Sequence, residues 1–229
     1  MPYGAGDTRS RHFDVTCYFS GGYVAEYPKP LVRLIEALSE LPGVGERTAE
    51  RLAFHILKQP AAASSELLDS IREAKTTVRH CKQCFNLTQQ ELCSICSDSR
   101  RQRDVLCVVE APRDLIAIEK TGAFHGLYHC LLGRIAPLDG VDESGLTVDA
   151  LVKRCSSGEV KEVVLATNPN IEGDATALAV ARALTPCGVK ITRLARGLPA
   201  GHELEYLSGT VMEEAFSGRL PLLAKGGAP

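Results

Sequence analysis

No apolar run in this 229-residue chain approaches the roughly 18 residues that a membrane-spanning helix requires. The opening stretch MPYGAGDTRSRHFDVTCYFSGGYVAEYPKP contains arginines but no continuous apolar segment followed by a small-residue cleavage site, so it does not read as a secretion signal. Net positive charge is lacking as well. The 26 Lys and Arg face 28 Asp and Glu, which leaves a formal charge of −2 and excludes a uniformly basic surface. Any nucleic-acid affinity must then reside in local patches. Internal repeats of solenoid length are absent. A cytoplasmic protein is the expectation.

What is present is a 45% hydrophobic composition, sufficient to bury a core in one large or two small domains. There are nine cysteines. Cys17, Cys107, Cys130, Cys155 and Cys187 are scattered, some inside apolar runs where a free thiol behaves as a small hydrophobe. This is thiol usage rather than a disulfide framework.

Residues 1–29 show no helical period and read as a disordered leader. From there Leu31, Leu34, Ile35, Leu38 and Leu41 form one helical stripe, and Ala49, Leu52, Ala53, Ile56 and Leu57 a second beyond PGVG. A third helix is expected to start at Ser64 or Ser65, either a fair N-cap, and to bury Leu67, Leu68, Ile71, Ala74 and Val78. Past residue 104 the pattern alternates. DVLCVVE, GLYHCLLG, EVVLAT and VKITRLA read as strands, with RDLIAIEK, TVDALVKRC and DATALAVARAL as helices between them. Such alternation implies crossover connections and a mostly parallel sheet with helices on both faces. A short helix is expected near TVMEEAF, and LAKGGAP is expected to fray.

CKQCFNLTQQELCSIC places Cys81, Cys84, Cys93 and Cys96 as two CxxC pairs. Each pair presents two thiolates to one cation, and two pairs complete a tetrahedron around Zn²⁺. With four thiolates no position remains for water, so such a site is structural. Redox pairs and an iron–sulfur cluster use the same residues.

In LPGVGERTAERLAFHIL, Gly43 and Gly45 permit a tight turn that leaves backbone N–H groups at a helix N-terminus, where a phosphate is well placed. Arg47 and Arg51, four residues apart, share the face beside that turn, and Arg33 lies nearby in the sequence. Such contacts read backbone phosphates and not bases. The plainer alternative is an αα-hairpin that only turns a corner. His80, Lys82, Arg100, Arg101 and Arg103 surround the cysteines, diluted by Asp98 and Asp104, and a charge run of this kind is as readily plain solvated surface.

Glu110 ends one strand, and Glu172 and Asp174 follow another, all at the carboxyl edge where parallel sheets place their sites. One acid plus an ExD pair, with Gly173 allowing a sharp bend, would suit Mg²⁺ through oxygen ligands. Glu172 and Asp174 would equally cap the next helix, which Asp174 does well chemically. Three acids alone do not separate the two.

From about Leu31 to Arg219 the chain resembles the bacterial recombination mediator family RecR. The resemblance rests on LPGVGERTAERLAFHIL, CKQCFNLTQQELCSIC, VVEAPRDLIAIEKTGAFHGLYHCLLGRIAPLDG, LATNPNIEGDATALAVARAL and RLARGLPAGHELEY, in that order. It implies an α/β chain with a helix-hairpin-helix at 30–79, a four-cysteine zinc finger at 80–104, a Toprim domain at 105–195 and a short C-terminal segment at 196–229. It further implies ring-shaped oligomers, commonly tetramers, that clamp DNA and work with RecF and RecO to load RecA at single-stranded gaps. On this resemblance Arg47 and Arg51 contact DNA, and Glu110, Glu172 and Asp174 belong to the RecO partnership and not to strand cleavage. A non-catalytic clamp holding one structural zinc is therefore the expectation, with Mg²⁺ at the acids as a further option. The enzyme alternative, by analogy with topoisomerases and primases, would need a nucleophile such as Tyr128 or Tyr206 beside the metal.

Overall fold

The computed structural model describes residues 27–136 and 145–219. The expected leader, up to residue 26, and the expected fraying of LAKGGAP lie outside the described residues. Two compact units divide the chain between Lys75 and Thr76.

In the first unit α1 (Lys29–Ser39) packs on α2 (Glu46–Lys58). Pro30 sits in the first turn of α1, where no intrahelical hydrogen bond is lost. Ala49 and Ala53, four residues apart on α2, are fully buried, and their small side chains allow the neighbouring backbone to approach closely. Tyr27, within the stretch read as leader, lies edge-on to Phe54 at 5.5 Å and donates its hydroxyl to Glu50 at 2.6 Å.

α3 (Ala61–Thr77) starts earlier than expected. The Pro60 carbonyl accepts from the N–H groups of Ala63 and Ser64, so the proline opens the helix and the two serines lie inside it. The expected burial of its apolar stripe also fails. Leu67, Leu68 and Ile71 are 49%, 61% and 54% exposed, and Val78 beyond the helix is exposed too. An apolar stripe is buried only by a partner, and the described residues of one chain supply none.

The second unit carries a four-stranded parallel sheet, β3 (Gln102–Val109), β4 (Gly126–Cys130), β5 (Glu162–Leu165) and β6 (Lys190–Arg193), in the spatial order β4-β3-β5-β6. The connecting helices are α5 (Pro112–Glu119), α6 (Val148–Cys155) and α7 (Ile171–Leu184). Right-handed crossovers put α5 on one face and α6 and α7 on the other. In keeping with this, α6 and α7 pack against each other. α8 (Gly209–Ser217) follows the sheet and buries no residue fully.

Ahead of the sheet, β1 (Arg79–His80) pairs antiparallel with β2 (Leu87–Thr88), and α4 (Ser94–Ser97) completes a small cysteine-bearing module. This module shares a core with the sheet. Cys81, Cys84, Cys93, Ile95 and Cys96 lie in the same apolar cluster as Leu106, Val108 and Tyr128, and the Cys130 N–H donates to the Cys84 carbonyl at 2.8 Å.

Candidate functional site

The two CxxC turns converge from opposite ends of their module. The Phe85 N–H donates to the Cys81 carbonyl at 3.0 Å, and the Cys81 N–H returns to the Asn86 carbonyl at 2.7 Å, closing the first turn. Phe85 takes a φ of 63° there, which lets the chain reverse straight after Cys84. Cys93 is the N-cap of α4, so its sulfur sits at a helix N-terminus, and its own N–H donates to Cys81 Sγ at 3.3 Å. Cys84 Sγ and Cys93 Sγ are 3.5 Å apart. All four ligand atoms lie within 4.8 Å of one another, and among the described residues no other group of three or more His, Cys, Asp or Glu does so. Crowding splits the protons unevenly: the hydrogen bond from Cys84 pushes the Cys93 thiol far down, and the same contact pushes Cys84 far up. A cation relieves that conflict by taking all four as thiolates.

The surroundings suit such a cation. A Zn²⁺ with four thiolates carries two net negative charges, which a core tolerates only with a compensating positive group. Arg154 of α6 is that group. Its Nη1 donates to the Tyr128 carbonyl at 2.7 Å, while Nη2 is buried without a hydrogen-bond partner in the protein. Burial pulls this guanidinium's pKa down, and the charges of Cys96, Cys84 and Cys81 pull it up. The donor set and the orphaned cation both fit structural zinc, which supplies cross-linking and no chemistry.

At the hairpin, Gly43 has φ 79°, a conformation that a side chain would strain. Gly45 is the N-cap of α2 and has no side chain to cap it; the Thr48 N–H goes to the Gly45 carbonyl at 2.9 Å, which leaves the N–H groups of Glu46 and Arg47 available. Arg47 and Arg51 are exposed, and among the described residues neither has a carboxylate partner. Arg33 on α1 is exposed as well.

The basic run around the cysteines is different. Lys82 pairs with Glu91, Arg100 makes a two-pronged contact with Asp98 at 3.0 Å for each bond, and Arg101 pairs with Glu119 while donating to the Phe124 carbonyl. One of the acids responsible, Glu119, lies beyond the run, so a count of charges along it does not include that residue. Only Arg103 of its arginines stays exposed with no ion pair among the described residues.

The three sheet-edge acids do not converge. Glu110, 4% exposed, accepts the Asn168 N–H on Oε1 and the Asn168 side-chain amide on Oε2, both at 2.7 Å. Glu172 forms an ion pair with Arg134, by charge rather than by hydrogen-bond alignment. Asp174 receives Arg193 at 2.6 Å and a two-pronged contact from Arg196. Neither acid caps α7. Asn170 does, its Oδ1 accepting the Gly173 N–H at 2.7 Å, which leaves Glu172 and Asp174 in the first turn. Gly173 makes no bend either. It is helical, and a Cβ there would stand 2.0 Å from the Asn168 carbonyl oxygen and 3.0 Å from Glu110 Oε1, so glycine is required for close approach. Sequence reasoning misses Asn168 and the arginines Arg134, Arg193 and Arg196, because nothing marks them out from other polar residues near a sheet edge.

Tyr128 is not presented as a nucleophile. Tyr128 is fully buried in β4 with its ring edge-on to Phe124 at 5.1 Å, and burial pushes its phenol well above the ordinary range. Tyr206 is 75% exposed on a separate short turn after the sheet.

Three family models match successive parts of the chain: the RecR helix-hairpin-helix over residues 31–75, the RecR four-cysteine zinc finger domain over 78–98, and the Toprim domain over 104–195. Similar proteins include the "Recombination protein RecR" of Pelotomaculum thermopropionicum, 49% identical over 84% of this chain and 96% of its own length. Those of Cutibacterium acnes and Rhodopirellula baltica are 49% and 48% identical, covering 85% and 81% of this chain and 96% and 94% of their own lengths. Cys81, Cys84, Cys93 and Cys96 thus form a zinc finger holding a structural zinc. No helix among the described residues is long and apolar enough to cross a membrane.

Proposed function

Because the chain belongs to the RecR family of recombination proteins, we propose that it is a DNA-binding repair protein that clamps DNA as a homo-oligomer and has no catalysis of its own. The observation that carries this reading is the pair of exposed arginines, Arg47 and Arg51, which have no carboxylate partner among the described residues and lie beside the N-terminus of α2, where no side chain caps the helix. Of the arginines in the run around the cysteines, Arg100 and Arg101 are spent on carboxylates of the chain itself. A guanidinium without an internal partner is free to replace a counterion on a phosphate, and backbone N–H groups at a helix start add neutral donors for the same oxygens. Neither contact reads a base, so binding is independent of sequence. Weak contacts of this kind gain strength when several copies present them around one strand, through effective concentration. The exposed Leu67, Leu68 and Ile71 stripe of α3 supports assembly of that sort, and the RecR resemblance points to a tetrameric ring.

Partnership with RecF and RecO, and loading of RecA at single-stranded gaps, are proposed on the same resemblance, with Glu110, Glu172 and Asp174 on the RecO side. The site of action is the cytoplasm, where reducing conditions keep thiolates available to zinc.

The test is a salt titration of binding to a fluorescent single-stranded oligonucleotide. Replacing Arg47 and Arg51 with Ala should weaken binding at all sequences alike and flatten the log–log salt slope by about 0.7 per arginine on a single strand. An unchanged slope and affinity in the double variant would remove the hairpin from the DNA contact.

A further inference from the structure

The carboxylate edge is expected, from Toprim enzymes, to hold a divalent cation, and its residues do not fit one. Both Glu110 oxygens are occupied by Asn168 amides, Glu172 is paired with Arg134, and Asp174 is gripped by two arginines at once. Two of the three carboxylates, Glu172 and Asp174, are matched by three guanidiniums without a metal. The arginines come from three different places: the loop after β4, the end of β6 and the segment beyond it. Arg196 also does something that a simple counterion would not. While its fork holds Asp174, its Nη1 donates to Glu214 of α8 at 2.9 Å. α8 has no fully buried side chain, and Phe216 on it is 65% exposed, so apolar packing anchors it weakly. The chain Asp174–Arg196–Glu214 therefore carries much of its attachment to the sheet.

We propose that Arg193 and Arg196 fill the cation positions of the carboxylate edge, and that through Glu214 this closed ion-pair chain latches α8 onto the sheet. Loading the carboxylates with a divalent cation and keeping α8 latched are then mutually exclusive. Asp174 cannot give both oxygens to a metal and keep the fork that positions Arg196, and a divalent charge beside two arginines is repelled. A competitor for Asp174, whether a metal or a cationic side chain of a partner, would free the C-terminal segment. The inference does not depend on DNA binding.

The experiment uses the full-length zinc-loaded protein, with Mn²⁺ as the probe and two readouts: free Mn²⁺ by electron paramagnetic resonance, and hydrogen exchange of the α8 amides. The unaltered protein should take up no Mn²⁺ below about 1 mM, a concentration at which weak oxygen sites fill. R193Q/R196Q should bind one Mn²⁺ per chain, lose it when D174N is added, and exchange its α8 amides about tenfold faster. Zinc content and far-ultraviolet dichroism report whether each variant folds. Should R193Q/R196Q not fold, D174N alone serves, because it strips Arg196 of its fork and should speed α8 exchange with no metal present. Mn²⁺ binding to the unaltered protein that D174N abolishes would overturn the proposal. So would a folded R193Q/R196Q that binds no Mn²⁺, or α8 exchange that neither variant changes.

Discussion

His129 illustrates how a single side chain couples the finger to the sheet. It is fully buried on β4, its ring edge-on to Phe85 of the finger at 5.3 Å. The Thr147 hydroxyl donates to the Cys130 carbonyl, so the contact of His129 Nε2 with Thr147 is made by the Nε2–H, and Nδ1 is left as a buried acceptor without a partner. Protonating Nδ1 would place a charge among apolar atoms and close to Arg154, and burial first, then that arginine, holds the imidazole down at about 4. Between the ordinary pKa of 6.5 and about 4 the unfolded chain binds a proton that the folded one refuses, so stability falls as the pH drops through that window. The loss should reach up to about 3 kcal/mol at the acid end. His129→Gln keeps a donor for Thr147 and cannot titrate, so its urea midpoint should fall less than that of the unaltered protein between pH 6.5 and about 4. Parallel profiles would show that this imidazole is not what acid attacks.

At the scale of the element, the first turn of α7 shows why the carboxylate edge is rigid. Asn168, Asn170, Gly173 and Glu110 interlock: the Asn168 amides satisfy Glu110, Asn170 caps the helix, and Gly173 lets the turn lie against the Asn168 carbonyl. Gly173→Ala must push the helix start away from the Asn168 carbonyl in the loop after β5, at a cost of about 1–3 kcal/mol for overpacking. Thermal unfolding should report the loss, and a Tm unchanged in the variant would mean that the turn has room to shift. Elements are largely legible in the sequence where a period or a spacing is strong. The four strands, α2 with Arg47 and Arg51 on one face, and the two CxxC turns all follow from local pattern. The start of α3 does not, because serines resemble N-caps in composition, while the Pro60 carbonyl opens the helix by geometry.

For the molecule as a whole, the exposed stripe of α3 is the feature that most calls for a partner. Leu67→Glu with Ile71→Glu should lower the mass of the native assembly measured in solution, while zinc content and dichroism stay unchanged. An assembly of unaltered mass would clear this face of any role in it. Because the stripe reads as core in a single sequence, only the fold could reveal that one chain leaves it uncovered. The sequence by itself determined the zinc ligands, the alternation that makes a parallel sheet and the placing of two arginines beside a glycine turn, since each depends on residues close together along the chain. Tertiary structure alone decided which charges are spent and which are free. Ion pairing depends on distance in space, and it joins Asp174 to Arg193 and Arg196, and Arg196 in turn to Glu214, while Arg47 and Arg51 have no carboxylate partner among the described residues.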